Sequence, residues 1–388
     1  MNNKTNLHIF LGAGGVGKTT LSAAYALYLA STGRKTGLLS IDPAKRLKSA
    51  LNATHIDETG KIFWKSEENS GYLRAAILNL PDSLKRWIID EGLPEDHQKQ
   101  LFEHPLYTTL AEKIASATET LAPVRMAEWL EQYPDTEELI IDTAPGLHAV
   151  DFITRPEKLL AFFDSKILQW IKWFAGERKW KWVDGKKQII QDQNFFQKLV
   201  RAGAKSILTA LGKVGGENIL LTLGELIILM DQVFYKMVER LEESRKWLRD
   251  SKTKIYFVFS LRDDSVFVAI ELNQILEQHN IKNGIFLLNK TLSDNLLTSK
   301  EIKDFIQNNY TENIAYKSLD YKELLSRYIA SFPILKNKIL NKFEKYSISK
   351  NQIIEIPIIS NIENINELKI NDLIELGSYI EKHNKILY

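Results

Sequence analysis

The chain has 388 residues, enough to bury a full core in one large or two modest domains. Its 51 Lys and Arg against 49 Asp and Glu leave a formal net charge of +2, so no global field argues for nucleic acid or for an acidic partner. The absence of cysteine excludes disulfides, thiolate metal sites and cysteine nucleophiles.

Leu7 to Leu11 is a short apolar run that reads as a buried strand. The stretch that follows, Gly12, Ala13, Gly14, Gly15, Val16, Gly17, Lys18 and Thr19, fits G-x-x-x-x-G-K-[ST], and Thr20 continues into a helix expected to end at Gly33. The glycines permit a tight turn that aims successive amides at phosphate oxygens, and the helix N-terminus adds partial positive charge. Lys18 is expected to reach the β- and γ-phosphates and the Thr19 hydroxyl to hold Mg²⁺, which makes the stretch a nucleotide-phosphate cradle.

Thr36 to Ile41 reads as a second strand, ending at Asp42, which either orients water or caps a helix starting near Lys45. Gly71 to Asn79 reads as a strand, Pro81 to Trp87 as the start of a helix, and Pro105 to Glu131 as helical. Glu137 to Asp142 is an apolar strand ending in acid, the pattern of a carboxylate that organises Mg²⁺ and also of an ordinary turn. Residues 156–250 carry little strand signal and read as a helical insertion, with a long helix over Glu217 to Leu248. Lys254 to Ser260 returns to strand, Ser265 to His279 to helix, and Gly284 to Leu288 to a strand ending in Asn289. The remainder reads as a helix over Tyr321 to Tyr346 broken at Pro333, a strand over Ile353 to Ile356, and an amphipathic helix over Leu368 to Lys382. Alternating strands and helices imply a doubly wound, mostly parallel α/β sheet. Its core is expected over 1–155 and 251–388, split by the insertion at 156–250. The seven histidines show no metal-ligand spacing, so Mg²⁺ is the one metal expected.

Five segments, GAGGVGKTT, SIDPAKRL, LIIDTAPGLHAVDFITRP, LLNK and IPIISN, together resemble the arsenical pump-driving ATPase family. That group also includes the ATPase that targets tail-anchored membrane proteins. The resemblance implies a P-loop NTPase fold, ATP with Mg²⁺ as cofactors, ATP hydrolysis, and a nucleotide-gated dimer, formed with itself or with a related ATPase subunit. It assigns Asp42 to switch I, where it positions the attacking water, and Asp142 with Thr143, Ala144 and Pro145 to switch II. It assigns Asn289 to an adenine contact and Pro357 to Ser360 to the loop closing over the base. Three departures stand out: Ala13 replaces a second loop lysine, Lys45 and Arg46 replace a His-Ser pair, and switch II reads DTAPGLHA.

Leu220, Leu221, Leu223, Leu226, Ile227, Met230, Val233, Phe234 and Met237 make a wide apolar surface on one helix, either a groove for a hydrophobic protein client or a packing face. Trp170, Trp173, Trp180 and Trp182 alternate with lysines and arginines up to Lys187, as in a peripheral membrane contact or a surface on which the rings lie down. Nucleic acid is not expected. A chaperone-like or targeting ATPase is the leading expectation. A metalloid pump driver is disfavoured by the missing thiolates, and a membrane- or polymer-associated positioning ATPase by the acidic closing helix. The short apolar run before the loop is not expected to be a signal peptide, and a cytoplasmic location is expected.

Overall fold

The computed structural model describes residues 5–42, 46–90, 93–115, 118–163, 180–183, 186–189, 226, 229–281, 284–309, 321–358 and 368–387. Its chain divides into two compact units, one of residues 1–78, 128–154 and 246–388, the other of residues 79–127 and 155–245.

The first unit is built on an eight-stranded sheet. In chain order the strands are β1 (Asn6–Gly12), β2 (Lys35–Ser40), β3 (Ile62–Lys65), β4 (Tyr72–Ile77), β5 (Glu138–Asp142), β8 (Lys254–Phe259), β9 (Gly284–Thr291) and β10 (Ile353–Pro357). They lie in the order β10-β9-β8-β1-β5-β2-β4-β3. All neighbours are parallel except β3, which runs antiparallel to β4 at the edge. The expected mostly parallel α/β sheet is therefore present. Strand β3 escaped the sequence reading because its four residues are half exposed and carry no clean apolar alternation.

Alternation along β8 shows how both faces are covered. Tyr256 and Val258 join a buried cluster with Leu21, Ala24 and Leu27 of α1 (Lys18–Ser31) and Leu373, Leu376 and Ile380 of the last helix (Ile370–Leu387). Phe257 stacks on Phe286, while Phe259 meets Phe343 from the helix Tyr321–Glu344 at 4.7 Å between ring centroids. Helix α1 approaches the last helix closely: a Cβ at Gly377 would stand 2.3 Å from the Ala24 carbonyl oxygen. An alanine-rich α1 and a glycine opposite it thus let α1 pack closely against the last helix.

The helix Tyr321–Glu344 runs through Pro333 without the expected break. Buried Ile329, Phe332, Ile339 and Phe343 on either side hold it, and the exposed proline removes one backbone donor only. Two short helices, Asp294–Thr298 and Lys300–Asn309, were not anticipated.

In the second unit, Leu80–Asp90 and Glu95–Phe102 are helices, and the expected run from Pro105 appears as Tyr107–Ala115 and Thr118–Gln132, the latter continuing into the first unit. The insertion is not wholly helical. Strands β6 (Trp180–Val183) and β7 (Lys186–Ile189) pair antiparallel, and the Asp184-Gly185 dipeptide between them in sequence is a hairpin signal. Of the long apolar helix, Asp231–Arg249 is described, and Leu226, Met230, Val233 and Met237 are buried. Leu220, Leu221, Leu223, Ile227, Trp170 and Trp173 lie outside the described residues, as do the side chains of Trp180 and Trp182. Among the described residues no helix is long and apolar enough to cross a membrane.

Candidate functional site

Parallel strands deliver their C-terminal ends to one edge of the sheet, which is where such folds bind ligands. Gly12 closes β1, Asp42 follows β2, Asp142 closes β5, Asn289 lies near the end of β9 and Pro357 closes β10. Register aligns the acids with the loop: Asp142 pairs with Phe10 on one side and with Ser40 on the other.

The loop from Gly12 to Gly17 needs its glycines at particular places. Gly15 and Gly17 have φ of +76° and +91°, a left-handed region that other residues enter at a steric cost. A Cβ at Gly12 would also stand 2.2 Å from the Val258 carbonyl oxygen. Gly17 is the N-cap of α1, with no side-chain cap and no acidic residue in the first turn, so the amides and dipole at that end are left for an external anion. Ala13, Gly15, Gly17, Lys18, Thr19 and Thr20 line a cavity of about 500 Å³ together with Arg46, Ser49, Asn52 and Lys290.

Lys18 is 4% exposed. Burial draws its pKa below the ordinary lysine value, against the opposing charges of Asp142 and Asp42. Asp142 is fully buried, and burial raises its pKa against the Lys18 charge and the nearby hydroxyls of Thr19 and Ser40. The Ser40 hydroxyl donates to Asp142 Oδ2 at 3.0 Å, while Asp142 Oδ1 has no hydrogen-bond partner among the described residues. A buried carboxylate with one oxygen left over and the Thr19 hydroxyl near the same group make a hard oxygen donor set that fits Mg²⁺. Asp42 is buried, and its Oδ2 lies 3.5 Å from Nη1 of Arg46, four residues further along the chain. Thr143 donates to the Phe10 carbonyl oxygen at 2.7 Å, tying the start of the expected switch II to β1, and Pro145 stands next to Gly14.

Asn289 is placed against the loop. Its carboxamide NH₂ donates to the Val16 carbonyl oxygen at 2.8 Å, and its oxygen accepts from the Lys290 amide at 2.9 Å. Because carbonyl and amide point oppositely across a trans peptide, fixing the Val16 carbonyl turns the Gly17 N–H away from Asn289. Pro357 lies one strand further out and does not line the cavity; Ile359 and Ser360 of the expected base-closing loop are outside the described residues, as is Lys45. The structure thus brings together the loop, Lys18, Thr19, Thr20, Asp42 and Asp142, with Asn289 behind the loop. Sequence reasoning missed Ser40, Arg46 as the Asp42 partner, and the two exposed cations near Gly15: Lys290, and Arg262, whose Nη1 is 4.0 Å from a Cβ built there. Both Ser40 and Lys290 stand inside motifs already singled out, SIDPAKRL and LLNK, and that adjacency was the available signal.

A mostly parallel sheet with an uncapped phosphate loop after its central strand and two acids at neighbouring strand ends defines a P-loop nucleoside triphosphatase fold. A family model described as anion-transporting ATPase matches residues 5–179. That match is to the ArsA-type ATPases that the chain's motifs resemble. It is 30% identical over 170 residues to an ATPase ASNA1 homolog of Babesia bovis, covering 42% of this chain and 43% of the relative. To the arsenical pump-driving ATPase of Escherichia coli it is 29% identical over 161 residues, covering 40% and 26%. To the ATPase GET3C of Arabidopsis thaliana it is 26% identical over 208 residues, covering 49% and 51%. The matches span about half or less of the length of these relatives.

Proposed function

We propose that the chain is an ATP-binding and ATP-hydrolysing switch of the ArsA type. The observation that carries this is the convergence on one cradle of a buried Lys18, an uncapped helix N-terminus and two buried carboxylates, Asp42 and Asp142. Lys18 and the loop amides hold and stabilise phosphate charge, and Thr20 lines the cavity beside them. Thr19 and Asp142 would hold Mg²⁺, which supplies charge neutralisation on the phosphates when bound. Asp42 orients the attacking water, with Arg46 fixing its carboxylate. Thr143 and Pro145, attached to β1 and to Gly14, pass the state of the site to the following segment.

The motif resemblance and the exposed loop at Gly14 and Gly15 support a dimer, with itself or with a related subunit. A partner carrying the lysine that Ala13 lacks would then speed a slow basal hydrolysis. A hydrophobic protein client and a cytoplasmic location belong to the same reading. The buried Leu226, Met230, Val233 and Met237 speak for a packing face on the described part of their helix, so client capture is not assigned to them.

ATP titration and single-turnover hydrolysis on the purified chain test the reading. Lys18→Ala should abolish ATP binding. Asp42→Asn should keep it and slow hydrolysis at least about tenfold, because the variant removes the water-orienting group and leaves the cradle intact. Equal binding by wild type and Lys18→Ala would refute the cradle, and an unchanged rate in Asp42→Asn would reduce Asp42 to a helix cap. A hydrolysis rate that climbs with protein concentration would place the missing cation in a second copy of this chain.

A further inference from the structure

Lys290 has a backbone that its own chemistry does not favour. Strands β9 and β10 keep register up to Asn289 opposite Ile356, and then Thr291 pairs with Pro357, so Lys290 is skipped as a bulge residue. Its φ is +64°, a left-handed conformation inside a strand, where glycine or a short polar side chain is the usual occupant. A lysine has no short side chain with which to bond its own backbone there. The bulge does re-aim the side chain, as bulges beside functional sites do. The exposed ammonium reaches back to the phosphate loop and donates to the Gly15 carbonyl oxygen at 3.3 Å. It also lines the same cavity as Lys18, Thr19 and Thr20.

We propose that Lys290 is a ligand of the nucleotide's phosphates, supplied by the chain itself from β9 to a loop in which Ala13 carries no charge. The inference rests on reading the loop as a nucleotide cradle. An ammonium has three donors, so one can stay on the Gly15 carbonyl while another meets a phosphate oxygen in a charge-assisted hydrogen bond. Two cations then divide the work. Lys18 is buried and fixed, whereas Lys290 is exposed, so its share of the binding is screened by salt. The strained backbone is what points the second cation inward from a strand end.

Calorimetric titration of the full chain with Mg·ATP at low and high salt tests this, with Lys18→Ala as the cradle control. Lys290→Met should bind ATP about tenfold more weakly at low salt and show a flatter salt dependence than wild type. Lys290→Arg should restore most of the affinity. Lys290→Gly should lose the same affinity yet melt at a higher temperature than wild type, because glycine takes φ of +64° without strain. Unchanged ATP affinity in Lys290→Met would overturn the proposal. So would tighter binding, which would make the lysine a latch on the loop, or an affinity loss that arginine does not restore while Lys290→Gly melts lower, which would make it a packing residue. Wild-type binding equal to that of Lys18→Ala would remove the cradle and this ligand with it.

Discussion

Gly17 and Asn289 are locked together so closely that one added methyl group should be felt in both stability and binding. An alanine at position 17 must keep a φ of +91°, which for a residue with a side chain costs about 1–2 kcal/mol. Its Cβ would also stand 2.3 Å from the Asn289 carboxamide nitrogen, far inside contact distance. The carboxamide must move, and the buried Val16 carbonyl oxygen loses the donor it now has at 2.8 Å, a loss of about 1–3 kcal/mol. Gly17→Ala should therefore destabilise the chain by about 2–5 kcal/mol in total. In an Asn289→Ala background the second part is already lost, so Gly17→Ala should cost only about 1–2 kcal/mol there, a coupling of about 1–3 kcal/mol. Urea denaturation of the four proteins measures it. Effects that add to within about 0.5 kcal/mol would refute the reasoning, since they would mean that the methyl group never meets the carboxamide.

Two further substitutions probe other parts of the chain. Met230 is fully buried, so Met230→Asp should lower stability by about 3–5 kcal/mol; an unchanged melting temperature would put that side chain on a surface instead. Burial raises the Asp142 pKa above the 3.8 of an ordinary aspartate, so the folded chain holds this proton more tightly than the unfolded one. The group's contribution to stability is then complete below the unfolded pKa and is lost as pH rises through the folded one. Asp142→Asn should show a shallower fall in stability than wild type across that interval, and parallel pH–stability curves would sink the argument.

What could be read from the sequence was what lies contiguous in it. The loop from Gly12 to Thr19 states its own chemistry, because glycines, lysine and threonine must be adjacent to wrap a phosphate, and the strand and helix on either side follow from apolar runs. Asp42 and Asp142 were visible as acids at strand ends, but alone they read as well as a cap and a turn. Only the strand order, which sets β5 between β1 and β2, brings Asp142 into register with Ser40 and both acids near Lys18. Asn289 illustrates the converse: its motif was legible, whereas its grip on the Val16 carbonyl depends on β9 ending behind the loop. The bulge at Lys290 has no sequence signal, since a lysine in a strand gives no hint of a positive φ. Pro333 misled because propensity was weighed without the packing of Phe332 and Phe343 on either side.

The charges around the cradle give it a direction. Two buried carboxylates face one buried lysine, and burial still outweighs both of them in drawing the Lys18 pKa down, while Arg46 lowers it further. Protein groups alone therefore leave the lysine incompletely compensated for the water it has lost. A polyphosphate adds several negative charges next to the ammonium and draws its pKa back up, so binding relieves a cost already present in the folded chain. The same anion repels Asp42 and Asp142 unless a cation stands between them and the phosphates. On the proposed reading, the Asp142 oxygen left without a partner is where a divalent ion would offset that repulsion. Arg46 does the corresponding work at Asp42, where its guanidinium offsets the carboxylate without displacing it. On the proposed reading, phosphate binding and the placement of both acids would be one electrostatic arrangement, so that a single phosphate group would be felt at the ends of three strands.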